Sequence, residues 1–371
     1  MKPLDDIIDN EFIPALFGHN LSASDRALLA LPIKDGGMGL RVISELADPS
    51  YYASTKITCP LKNQIVKQSF NLPEQEEVVK ARLETTTALR EQAKAKQDAL
   101  LQNRSKVTQR NFEQLSQPGA STWLGALPLK DQGFNLNKAE FQDALNLRYD
   151  RHLKNIPTKC GCGKAFTVTH AMNCKKGGFI SARHDSIRNF EARLLKQVCN
   201  DVQVEPPLQP VNGVTYLPSA ITTDEARLDV RARGFWRHGQ NAFFDIRTTN
   251  ANCKSQKNKK ISSILRSHEQ EKKTQYNARV MEIEQGTFTP IVVTVKGVMG
   301  QEAIRYHKAL AEKISTKTGE KYEDVTRLIR TKLSFLVLKA ALLCLRGSRT
   351  VYNQNTESCM DFAFSLNELN L

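Results

Sequence analysis

Two aspartates, Asp229 and Asp245, constrain this sequence more than any other pair of residues. They lie in the stretch EARLDVRARGFWRHGQNAFFDIRT, residues 225–248. Ala226, Leu228, Val230 and Ala232 alternate with polar residues, and Phe244 and Ile246 do the same further on. Alternation at period two predicts half-buried strands, and the intervening GFWRHGQN, with a glycine near each end, predicts their hairpin loop. Arg237 is equidistant from the two aspartates. A symmetric hairpin therefore sets them opposite one another on the same face, with Cβ atoms roughly 5 Å apart. Facing carboxylates repel unless a cation lies between them. Magnesium is held by one or two carboxylates together with phosphate oxygens, so the hairpin reads as half of a metal site for phosphate chemistry. The competing expectation is an exposed ladder of ion pairs, because Arg227, Arg231 and Arg247 share that face and such pairs contribute little.

The charge of the chain favours a polyanionic partner. Its 371 residues carry 53 Lys and Arg against 39 Asp and Glu, a formal net charge of +14, and nucleic acid is the default counterpart of such an excess. With 40% hydrophobic and 25% charged residues the composition is that of a globular protein with room for several domains. The opening MKPLDDIIDN is acidic and has no apolar core of a signal peptide. The longest apolar-rich run, Leu333 to Leu345, is too short to span a membrane. These features predict an intracellular protein with reduced cysteines.

Among its eight cysteines and seven histidines, four positions then gain meaning. Cys160, Cys162, His170 and Cys174 fall within fifteen residues, with a glycine after each of the first two. Soft ligands in that number predict a closed tetrahedral zinc site. The first pair is C-x-C, shorter than the common C-x2-C. Lys175 and Lys176 follow at once, as suits a nucleic-acid-binding element. The next segment, residues 181–199, has an apolar stripe of Ile187, Phe190, Leu194 and Val198. Glu191 sits on that stripe. A carboxylate there needs a partner or a metal, which makes it a candidate third acid.

A helix is predicted from about Ile261 to Ile283, and its stripe distinguishes two lysines. Lys272 fills the gap between His268 and Tyr276, whereas Lys273 is rotated by about 100°. Lys272 is therefore the one expected to face the carboxylates, with Tyr276 one turn away. Eight Lys and Arg against two Glu between Asn252 and Arg279 form the densest basic patch, where Lys254, Lys257, Lys259, Lys260 and Lys273 would follow a phosphate backbone. The β-branched run from Thr289 to Val295 predicts a central strand. Upstream, Gly36, Gly37 and Gly39 mark a turn, and residues 74–117, without Pro or Gly, predict one or two long solvated helices.

The hairpin acids, the helix-borne lysine and the CCHC cluster together resemble the C-terminal region of non-LTR retrotransposon polyproteins. In that family a zinc knuckle follows the reverse transcriptase and precedes a restriction-like PD-(D/E)XK endonuclease. LPIKDGGMGL resembles the reverse transcriptase tail, and TWLGALPLKDQGFNLNKAEFQDALNLRY the linker before the knuckle. Arg183-His184-Asp185 resembles an R-H-N/D motif of these elements. The resemblance implies an α/β chain. A helical reverse transcriptase remnant (1–60), a charged linker helix (61–120) and a helical linker with the zinc element (121–178) would precede a small mixed-sheet restriction-endonuclease-like domain flanked by helices (179–347) and a tail (348–371). It implies structural Zn²⁺, catalytic Mg²⁺ on Asp229 and Asp245, and Lys272 as the catalytic lysine, with Glu191 and Tyr276 beside them. It implies DNA and element RNA as partners, a nuclear location, and no polymerase activity, since no Y-x-D-D is present. Leu228 stands where the motif has proline and Arg247 where it has lysine. An inactive zinc-containing nucleic-acid-binding relic is the alternative.

Overall fold

A computed structural model describes residues 2–69, 75–211, 219–253 and 255–349. They form two units, Met1–Ser116 and Gln117–Leu371.

The first unit is helical: α1 (Lys2–Ile7) runs through a π turn into α2 (Ile13–Phe17), followed by α3 (Ala23–Ala30), α4 (Ile43–Val66), α5 (Gln75–Gln102) and α6 (Lys106–Leu115). Side chains supply the caps that backbone N–H groups lack at helix starts. Ser22 accepts from the Asp25 N–H at the start of α3, and Asp5 accepts from Ile43 and Ser44 at the start of α4. The glycine turn precedes α4, with Gly36 and Gly39 at positive φ. The charged stretch forms two helices, and the first is not a lone spacer. Lys96 of α5 pairs with Glu45 of α4 at 2.6 Å and Glu84 with Lys56 at 3.7 Å, so α4 and α5 pack as a hairpin. The expected boundary at residue 60 falls inside α4.

The second unit is mixed α/β. Its helices are α7 (Lys138–Arg148), α8 (Val168–Ala171), α9 (Phe179–Val198), α10 (Ile261–Glu282), α11 (Gln301–Thr318) and α12 (Tyr322–Arg346); its strands are β1 (Asn200–Val204), β2 (Val230–Arg233), β3 (Asn241–Thr249) and β4 (Thr287–Thr294). The strand order is β1-β2-β3-β4. The first two pairings are antiparallel and β3–β4 is parallel. Parallel pairing requires a crossover, which α10 supplies. The β2–β3 register, from Val230↔Phe244 to Arg233↔Asn241, is centred on Arg237. Strand alternation divides the core. Val230, Ala232, Phe244, Ile246, Ile291 and Val293 pack against α9, α11 and α12, while Phe243, Phe288 and Val292 pack against α10.

One expectation needs correction. The run around Thr289–Val295 forms the last strand of the sheet, not a central one. It is apolar because helices cover both faces, and Pro290, which has no N–H to donate, is tolerated on such an end strand. Its outer edge is closed by the chain that follows, through Thr294 N–H to Val298 O and Gly300 N–H to Val292 O. The Cys/His element shares part of its core with α12. Leu153, Cys160, Phe166, Met172, Cys174 and Phe179 share a core with Ala341, Cys344 and Leu345 of α12. Of the expected tail, 350–371 lies outside the described residues.

The crossover helix is fixed against α11 by a buried carboxylate. Glu269 of α10 accepts from the Glu302 N–H at the start of α11, at 2.9 Å. A Cβ at Gly300 would lie 2.1 Å from that carboxylate. Gly300→Ala would push the end of the Glu269 side chain off the Glu302 N–H and is therefore expected to cost about 1–3 kcal/mol, as leaving a buried hydrogen-bonding group unsatisfied does. Equal denaturant midpoints for wild type and variant would refute this account of the α10–α11 junction.

Candidate functional site

The Cys/His cluster is assembled by a tight turn and a one-turn helix. Cys160 N–H donates to Lys164 O and Gly163 N–H to Cys160 O, with Gly163 at φ 85°. Thr167 caps α8 by accepting from the His170 N–H at 3.0 Å, which turns His170 toward the loop. Gly161 answers a different need: a Cβ there would sit 2.4 Å from the Arg349 carbonyl. The Cys160 and Cys174 sulfurs are 3.7 Å apart, and Cys162 Sγ is 3.3 Å from His170 Nε2. All four donor atoms lie within 4.8 Å of one another. A tetrahedral zinc with ~2.3 Å Zn–S and ~2.0 Å Zn–N bonds separates its sulfurs by about 3.8 Å and sulfur from nitrogen by about 3.5 Å. The cluster thus fits a metal ion, zinc by ligand type. Burial pushes the Cys160 thiol up, whereas the Lys164 backbone N–H pulls the Cys162 thiol down. Lys175 and Lys176 are exposed beside it.

The aspartates lie elsewhere in the same unit. Asp229 immediately precedes β2, and its N–H donates to Phe244 O, which continues the register toward Asp245. Its carboxylate is held from two sides, by His184 Nε2 at 2.9 Å and by the Ile246 N–H. Asp245 is 6% exposed. Lys272 Nζ lies 3.1 and 3.0 Å from its two oxygens. Lys273 instead pairs with Glu302 on α11. The arginines do not form a ladder with the aspartates. Arg231 pairs with Asp201 at 2.7 Å and Arg247 with Glu271 at 2.9 Å.

An open groove of about 430 Å³ lies between the start of α9, β3 and α10, and it is lined by His184 and Lys272, the partners of the two aspartates, rather than by the aspartates themselves. Arg183, His184, Arg247 and Lys272 are its basic lining, and Asp185 adds a carboxylate. Burial, and secondarily the charge of Asp229, raises Asp245 to about 6 against the pull of Lys272. The hydrogen bond to Asp229 raises His184 above its ordinary value.

Glu191 is fully buried, but its partner is His307 of α11 at 3.0 Å rather than either aspartate. It satisfies the demand that its position created without joining the acid pair. Tyr276 packs against Phe288 with ring centroids 5.7 Å apart, and Lys272 Nζ lies 5.5 Å from its ring. Burial and the two aspartates push its hydroxyl up to about 12, so at neutral pH it is a neutral packing residue. Lys257, Lys259 and Lys260 are exposed on the loop before α10, and Lys254 lies outside the described residues. Because Lys273 is tied to Glu302, it is the least available of the expected phosphate contacts. His184 was visible in the sequence only as part of a tripeptide motif. It lies three residues before Ile187, on the inward stripe of α9, and that position was the available signal.

Neither known family models nor curated proteins match the chain.

Two outcomes follow from these geometries. The protein is expected to carry one zinc per chain, and Cys174→Ser to release it and lower the melting temperature, because two cluster cysteines belong to the core shared with α12. Full retention of zinc in that variant, measured by plasma emission, would count against the site. The second outcome concerns pH, in chelator. Between 3.8 and about 6 the folded chain binds a proton at Asp245 that the unfolded chain has released. Stability from this group is present below that window and falls as pH rises through it. Asp245→Asn removes the effect, so its melting temperature should gain on wild type from pH 4 to 6; parallel curves would place the titration elsewhere.

Proposed function

We propose that the second unit is a metal-dependent DNA endonuclease of the restriction-like type, derived from a retrotransposon, and that this chain has no polymerase activity. The observation that carries the reading is the acid pair beside a cationic groove. Asp229 and Asp245 approach from adjacent strands, and Lys272 reaches one of them from the crossover helix. The sheet order and the sequence of helix, three strands, helix and strand support a restriction-endonuclease-like core.

The donor set suits magnesium: two carboxylates supply oxygen ligands, and an open groove admits phosphate oxygens. Asp229 and Asp245 would hold the ion. When bound, it would supply an activated water and offset charge on the phosphate. The residues of the chain have separate tasks. Lys272 compensates Asp245 and offers its ammonium to water or phosphate. Arg247, standing where the motif has lysine, is occupied by Glu271 and lines the groove as a phosphate contact. The lysines at 257, 259 and 260 would track the backbone without selecting sequence, leaving selection to the zinc element with Lys175 and Lys176. DNA, and RNA of the parent element, are the proposed partners, and the nucleus the proposed location. Among the described residues no helix is long and apolar enough to cross a membrane.

The experiment is nicking of supercoiled plasmid. Wild type with Mg²⁺ is expected to nick, and Asp245→Ala to lose at least 100-fold in rate, a loss of about 2.7 kcal/mol or more in transition-state stabilisation, while retaining DNA binding. Equal cutting by both would overturn the site. Binding without cutting by either would favour an inactive nucleic-acid-binding relic, a reading to which the internal cations on both aspartates also lend support.

A further inference from the structure

Among the described residues, buried charged groups have a polar or charged partner, with one exception. Asp5, Arg26, Asp143, Arg148, Arg183, Arg279 and Arg349 are each at most 8% exposed. Each has a hydrogen-bond or ion-pair partner. The same holds for Glu191, Asp245, His268, Glu269 and His307. Lys332, in the middle of α12 and also 8% exposed, has none among the described residues. The charged group that acts on it is another cation, Arg193 of α9. Arg193 likewise makes no hydrogen bond or ion pair, and its Nε is buried.

No carboxylate on the two helices is positioned to serve them. Asp185 pairs with Arg188 at 3.0 Å and Glu191 with His307. Asp324 pairs with Arg327. Glu323 lies nine residues before Lys332, which is half a turn away around the helix and about 13 Å along it. Lys332 lies about one turn from Ile329 and Leu336, and Arg193 adjoins Leu194 and lies about one turn from Phe190, all four in the core that α9 and α12 share. Two cations bordering one seam without an anion repel, and each loses hydration. Burial and Arg193 push the Lys332 ammonium down to about 8. The seam is not sealed, since the Lys332 ammonium is absent from the buried unsatisfied atoms although it has no partner. The Lys332 ammonium therefore touches solvent. Arg193 is also nine residues from His184, on the opposite side of α9 from the acid-pair groove.

We propose that Arg193 and Lys332 form a binding site for a single phosphate group, distinct from the groove. A guanidinium fork and a compact ammonium are the two cationic chemistries that recognise phosphate oxygens. The phosphate belongs either to a nucleic-acid backbone or to a free phosphate compound. The inference does not depend on catalysis.

The test uses the full chain in two arms. In the first, melting temperature is measured in sodium phosphate and in sodium chloride at equal ionic strength. Phosphate is expected to raise the wild-type value by a few degrees relative to chloride, as a ligand bound only by the folded state does. Lys332→Met keeps the length of the buried stem and should melt no lower than wild type in chloride, but lose the phosphate response. Arg193→Met should lose it too, and Lys332→Arg should retain it. No response in wild type, or the same response in both methionine variants, overturns the site. In the second arm, binding of a fluorescent DNA duplex is followed against salt. One lost backbone contact reduces the log–log slope by about 0.9. That reduction in Lys332→Met assigns the site to nucleic acid; an unchanged slope with a lost phosphate response assigns it to a free phosphate compound.

Discussion

The meeting of Lys272 with Asp245 is the interaction on which the arrangement of the sheet unit turns. A carboxylate 6% exposed is costly to ionise, and the sequence supplies its counter-charge from a helix that the chain must first build as a crossover. The ammonium arrives because the whole of α10 is fixed. Ile264 and Leu265 anchor it on one side of the sheet, Val280 and Tyr276 continue that contact, and Glu269 and Lys273 bind it to the start of α11. Adjacent lysines thus acquire different tasks from a 100° difference in direction. Lys273 secures the helix, and Lys272 serves the acid.

Much of this was legible in sequence because it follows from periodicity. The equal spacing about Arg237 contains the β2–β3 register, since a hairpin offers few alternatives once its ends are equidistant from the turn. The helical stripe separates the two lysines for the same reason. The ligand spacing of Cys160, Cys162, His170 and Cys174 brings four donors close because a tight turn and one helical turn are both short-range structures. What periodicity does not carry is which partner lies across the chain. Glu191 had to be compensated, but His307, far along the sequence, could not be identified as the compensating group. Strand order suffers likewise. A β-branched run signals burial on both faces, and the end strand β4 is buried as a central one would be.

Contacts also cross the borders between parts that local pattern suggests. A helix rich in charge suggests solvent on every side, yet α5 finds α4 through a few ion pairs and a shared hairpin. The zinc element looked self-contained because its ligands are contiguous. Its apolar residues are not sufficient for a core, so Phe166, Met172 and Phe179 complete theirs against α12. Lys332 illustrates the opposite limit: its burial follows from its place among apolar neighbours on α12, but the lack of a partner emerges only when every other buried charge has been matched.

The dependence of the zinc element on α12 has a consequence for synthesis. During translation the four ligands leave the ribosome well before α12, and domains fold as the chain emerges. The turn can gather a metal at that stage, but the apolar side of the element has nothing to rest on until residues 341–345 arrive. The carbonyl of Arg349, against which Gly161 is fitted, comes later still. Until then the nascent chain carries its four candidate ligands with an uncovered apolar flank, and that flank closes only once α12 and Arg349 have emerged.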